Sequence, residues 1–93
     1  MRLRETEKKS IVKIVKGMDP DSRIYLFGSR TDANQKGGDI DLLIITSQLT
    51  HEDIMTIKKK LFSEIEEQKI DIIISRSGNE PFVKMIFEQA VML

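Results

Sequence analysis

Asp39 and Asp41 stand one residue apart at the head of an apolar run, Leu42-Leu43-Ile44-Ile45, and Asp71 heads a similar run, Ile72-Ile73-Ile74. Side chains alternate across a β-strand, so Asp39 and Asp41 share one face. Leu43 and Ile45 continue that face, and Ile40, Leu42 and Ile44 line the other. Both faces are apolar further along, as in a strand covered by helices on both sides. Like charges at the lip of such a strand repel each other and lose hydration. A divalent cation is the simplest compensation. Mg²⁺ takes hard oxygen ligands and keeps several waters, so a few carboxylates plus substrate phosphates suit it. Two such ions, about 3.5–4 Å apart, can clamp the attacking and leaving oxygens of a displacement at phosphorus. Asp39 and Asp41 could bridge both ions, and Asp71 could reach one of them if its strand lies alongside.

Gly28-Ser29 could supply the other half of such a site. Glycine lets the backbone approach a phosphate closely, and exposed amides ahead of a helical turn suit an anion. Ser29 adds a hydroxyl donor, and Arg30 or Lys36 could screen a triphosphate. A Gly-Ser pair alone is common in turns. At the end of an apolar strand, with nine residues separating Ser29 from Asp39, it is a specific signal. A lone acid in a strand is usually solvated at an edge. A pair at i and i+2 followed by four apolar residues, with a third acid in the same setting, departs from that pattern.

The elements that must hold these residues follow from periodicity. Apolar residues over 3–18, at Leu3, Ile11, Ile14, Val15 and Met18, predict an amphipathic helix, ended by the turn cluster Asp19-Pro20-Asp21-Ser22. Its basic residues read as a solvated face. Arg23–Phe27 is a first strand, Ser29–Lys36 a polar loop that could open with a helical turn, and Asp39–Ile45 a second strand. Thr50 with Asp53 forms a capping box, and Ile54, Ile57, Leu61 and Ile65, with Phe62 adjacent, make the apolar stripe of the helix it starts. His51 reads as a surface residue near that helix start, and Tyr25 as a packed strand residue. Lys69–Ser75 is a third strand and Arg76–Asn79 a loop. A final helix from Glu80-Pro81 buries Val83, Ile86, Phe87, Ala90 and Val91. The expectation is an α/β (α+β) fold, order α-β-(α)-β-α-β-α, with about three strands in a small mixed sheet and about four helices.

Composition narrows the partners. The chain has 93 residues, 40% hydrophobic and 32% charged, which is ordinary globular composition and predicts one domain over 1–93. Fifteen basic residues balance fifteen acidic ones, which argues against a domain that coats nucleic acid. With no cysteine and only His51, thiolate and histidine-based metal sites are excluded within one chain. No apolar run is long enough to span a bilayer and no N-terminal signal segment is visible, so the expected setting is the cytoplasm.

Phe27-Gly28-Ser29-Arg30, then Asp39-Ile40-Asp41-Leu42 and the later Ile70-Asp71-Ile72, resemble the nucleotidyltransferases related to DNA polymerase beta. The size is similar to that of the stand-alone minimal members, which are little more than the palm-like core. The resemblance implies that Asp39 and Asp41 bind both metals, that Asp71 binds the catalytic metal and assists nucleophile deprotonation, and that Gly28, Ser29 and Arg30 contact the nucleotide. It also implies two Mg²⁺ ions, or Mn²⁺, and an NTP, ATP by preference, as substrate. Minimal members are commonly paired with a small HEPN-domain toxin, which they AMPylate on tyrosine as antitoxins. The alternative is an antitoxin that neutralises its partner by contact alone. One departure is Thr31-Asp32-Ala33-Asn34, where many relatives carry a small residue, a basic residue and a glycine.

Overall fold

The computed structural model describes residues 3–28, 39–65 and 69–93. Its elements, in chain order, are α1 (Glu5–Met18), β1 (Arg23–Phe27), β2 (Ile40–Ile45), α2 (His51–Glu64), β3 (Ile70–Ser75), α3 (Pro81–Phe87) and β4 (Val91–Met92). The strands form one sheet in the order β3-β2-β1-β4. β1 is antiparallel to β2, and β2 is parallel to β3 with α2 as the crossover. The sheet is therefore mixed, as expected.

β2 is one of the two inner strands and supplies side chains to both core clusters. All of its residues are buried except Asp41. Ile40, Leu42 and Ile44 face a large cluster with Ile11, Val15, Ile57 and Leu61 from α1 and α2. Leu43 and Ile45 point the other way, into a smaller cluster with Val83 of α3, flanked by Tyr25, Phe27, Ile73 and Ile86. Near-continuous apolar sequence in β2 is thus the signature of a strand covered on both faces.

Local chemistry sets the boundaries. α1 starts at Glu5 rather than at Leu3, and the Glu7 carboxylate accepts from the Arg4 amide at 3.0 Å. The capping box of α2 is present as expected. Thr50 Oγ1 accepts from the Asp53 amide at 3.2 Å, and Asp53 Oδ2 from the Thr50 amide at 2.8 Å. The stripe Ile54, Ile57, Leu61 and Ile65 is buried, whereas Phe62 beside it is exposed. His51 is exposed at the first turn, and the Tyr25 ring packs edge-on against Phe87 at 5.0 Å.

The C-terminus corrects the sequence-based expectation. The last helix ends at Phe87, and Ala90 and Val91 are not part of a helical face. Val91 pairs with Leu26 and Met92 with Tyr25, making a fourth strand, and the Leu93 amide donates to Ile24 O at 2.9 Å. Residues 86, 87, 90 and 91 fit a helical repeat, which is why the pattern misleads. Without β4 the outer edge of β1 would carry unpaired backbone groups, and satisfying them favours extending the chain along it. Among the described residues there are three α-helices rather than about four, and the possible helical turn from Ser29 lies outside them.

Asp19 ties the turn after α1 to the far end of β2. It is 1% exposed, accepts from Thr46 Oγ1, and also accepts from the Asp21 amide at 3.1 Å. Thr46→Val would leave that buried carboxylate short of a donor. The expected outcome is a loss of about 1–3 kcal/mol in urea-induced unfolding; an unchanged midpoint would show that the hydroxyl contributes nothing.

Candidate active site

The register of the parallel pair brings the acids together. Asp41 lies opposite Asp71 across β2 and β3, and Asp39 immediately precedes β2, whose Ile40 pairs with Ile70. Alternation puts Asp41 on the face of Leu43 and Asp71 on the face of Ile73, the face that α3 covers further along. Asp39 and Asp71 are 46% and 44% exposed, so the acids form an open mouth rather than a sealed cavity.

The electrostatics of this mouth are unfavourable to charge. Burial pushes the Asp41 carboxyl above its ordinary range, and the carboxylates of Asp71 and Asp39 push it further. The Lys69 ammonium pulls the other way. Its Nζ lies 3.9 Å from Asp39 Oδ2 and 3.9 Å from Asp71 Oδ2. Lys69 is the residue that sequence reasoning missed. Its position two residues before Asp71, at the start of the strand, was the available signal.

Gly28 joins the acids to the expected phosphate loop. It follows Phe27, which pairs with Asp41 across β1 and β2. Its φ of 78° is the left-handed conformation that side chains rarely adopt, and a Cβ there would collide with Asp41 Oδ2. Glycine at 28 is therefore required twice, by backbone conformation and by the carboxylate against it. Ser29 and Arg30 lie outside the described residues, as do Thr31 and Lys36.

The donor set fits a hard divalent cation. It consists of carboxylate oxygens on one sheet edge, one of them held partly out of water among like charges. Asp39, Asp41 and Asp71 are the residues that could hold it. Among the described residues, no three acidic or histidine side chains are gathered into a finished metal cage. The carboxylates are spread around Lys69 instead. A hollow of about 440 Å³ between α1 and α2, lined by Lys13, Gly17, Met18, Lys60 and Glu64 among others, contains none of the acids. It sits on the other side of the sheet, where the α1 and α2 cluster packs.

The family model for polymerase beta nucleotidyltransferases matches residues 9–93. The chain belongs to the polymerase beta nucleotidyltransferase family. Its fold is similar to a chain in the solved structure of tri-AMPylated Shewanella oneidensis HEPN toxin in complex with MNT antitoxin. That likeness has a TM-score of 0.72 and 22% identity, and covers 97% of this chain and 71% of that one. No curated protein matches the chain. Among the described residues, no helix is long and apolar enough to cross a membrane.

Two substitutions probe this geometry. Gly28→Ala should lose about 1–2 kcal/mol from the left-handed backbone alone, and more from displacing Asp41. A urea melt indistinguishable from wild type would contradict the close approach. Asp41→Asn should keep the ligand-free protein folded and make it no less stable at neutral pH. The Asp41 carboxyl has a raised value in the folded state, so its ionisation opposes folding above that raised value. The penalty is relieved as pH falls toward the ordinary carboxylate range. The advantage of Asp41→Asn should therefore be largest at neutral pH and shrink on acidification, as measured by chemical denaturation at several pH values.

Proposed function

We propose that this chain, as a single minimal domain over 1–93, is a metal-dependent nucleotidyltransferase that moves AMP from ATP onto a tyrosine of a HEPN-type partner, acting as an antitoxin in the cytoplasm. The observation that carries the reading is the Asp41–Asp71 register, with Asp39 alongside and Gly28 against Asp41. Family membership supports nucleotidyl transfer in general. The AMPylated toxin in the similar solved complex supports a protein acceptor and adenylate as the group moved.

In this reading Asp39 and Asp41 would hold two divalent ions, Mg²⁺ or Mn²⁺, and Asp71 would hold one of them. When bound, the ions supply charge stabilisation at the attacking and leaving oxygens. Gly28 and Ser29 seat the triphosphate through backbone amides and a hydroxyl, with Arg30 beside them. Asp71 accepts the proton of the acceptor hydroxyl. The hydroxyl oxygen then bonds to the α-phosphorus, the bond from that phosphorus to the bridging oxygen breaks, and pyrophosphate leaves.

A second reading, neutralisation by contact without transfer, is favoured by one surface. Phe82, Met85, Phe87, Val91 and Met92 are all exposed on α3 and β4. Exposed apolar side chains on one face are a common mark of a protein-binding surface. Met92 pairs with Tyr25, which with Phe27 lies on the sheet face that Asp41 and α3 share. The same surface would serve an acceptor docking for transfer.

Incubation with Mg²⁺, α-labelled ATP and the HEPN-type partner distinguishes the two. Label is expected on the partner, and Asp71→Asn should slow its transfer by roughly 10²–10⁴-fold, the scale of a lost general base. Tight complex formation with no label transferred would favour the contact reading.

A further inference from the structure

We infer that Lys69 is a built-in counter-ion, which holds the acidic mouth together in the ligand-free protein and competes with divalent cations for it. The inference rests on the metal-site reading above and adds a determinant of its metal affinity. Both ion pairs found among the described residues share this one ammonium, at 3.9 Å from Asp39 and 3.9 Å from Asp71. Its charge also offsets the burial and repulsion that act on Asp41. One cation thus serves all three carboxylates from between two of them.

The placement suits a temporary occupant. Both contacts are at the long end of ion pairing, and the Lys69 side chain is 69% exposed, so solvent and salt weaken them. The stem has four flexible carbons and carries a compact point charge that can swing into water at little cost. Lys69 directly precedes β3, so the main chain that carries Asp71 is fixed while the ammonium moves. An ammonium and a divalent ion cannot share the gap between the carboxylates without direct repulsion. Metal entry therefore requires Lys69 to leave, and the site exchanges one cation for another.

The test is Mn²⁺ alone titrated into wild type, Lys69→Gln and Lys69→Arg, with free Mn²⁺ followed by electron paramagnetic resonance. Lys69→Gln should bind Mn²⁺ roughly three- to tenfold more tightly than wild type, the scale of removing one nearby like charge in a solvent-exposed site. Lys69→Arg should stay near wild type, and added KCl should narrow the gap. If wild type binds Mn²⁺ and Lys69→Gln binds it equally or more weakly, the competition is disproved and the metal-site reading survives. If neither protein binds Mn²⁺ while both are folded, the metal-site reading falls and this inference falls with it.

Discussion

The parallel pairing of β2 with β3 places Asp41 beside Asp71, and the rest of the structure exists around that juxtaposition. Like charges opposite one another on neighbouring strands are destabilising. Their repulsion at about 5 Å is on the order of 1–3 kcal/mol for effective dielectrics between a protein surface and water. Against it stand Ile40, Leu42, Leu43, Ile44 and Ile45, all buried, each stabilising by about 1.5–3 kcal/mol. Burial wins by a wide margin. The apolar residues set the register, and the acids are carried to their positions by it. A one-residue slip of β2 would turn Leu43 and Ile45 toward the α1 and α2 cluster and Ile40, Leu42 and Ile44 toward α3. Such a slip is opposed by two unequal clusters already filled by their own side chains.

Gly28 links this constraint to the preceding strand. Because Phe27 pairs with Asp41, the residue after β1 is bound to arrive against the Asp41 carboxylate. Only a residue without a side chain fits there. The end of β1 and the head of β2 thus meet at one place without any long-range contact beyond the hairpin register. Asp19, Thr46 and Arg76 secure the opposite end of the sheet, where Arg76 Nη1 donates to Thr46 O at 3.0 Å. These side-chain ties lie away from the acids, and the charged mouth stays open to solvent.

Much of this was legible in the sequence because the informative residues are local. The Asp-x-Asp pair, the glycine after a strand and the capping box of α2 each depend on spacings of a few residues. The two-faced burial of β2 was legible from its lack of polar alternation. Convergence of Asp71 with Asp41 was conditional on strand adjacency, which the right-handed habit of β-α-β crossovers makes natural but does not require. Ala90 and Val91 were misread because an i, i+3, i+4 pattern also describes a short helix followed by an edge strand. What decides between them is an unpaired β1 edge elsewhere in the chain. Lys69 was passed over for a similar reason. A lysine before a strand is ordinary, and only the meeting of two strands surrounds it with carboxylates.

The ligand-free site is best understood as incompletely compensated by design of its register. Asp41 carries a raised carboxyl despite a lysine nearby, so Lys69 does not offset the burial and the two neighbouring carboxylates that raise it. A divalent ion held by Asp39, Asp41 and Asp71, as proposed above, would bring more compensating charge than the single ammonium 3.9 Å from two of them. The residual repulsion is free energy that such an ion would recover, and it is present only in the folded register. Occupancy of the mouth and integrity of the β2–β3 pairing are therefore thermodynamically linked, since a ligand that binds only the folded form stabilises it. The repulsion that opposes folding is the same one that would give the proposed cation site its affinity.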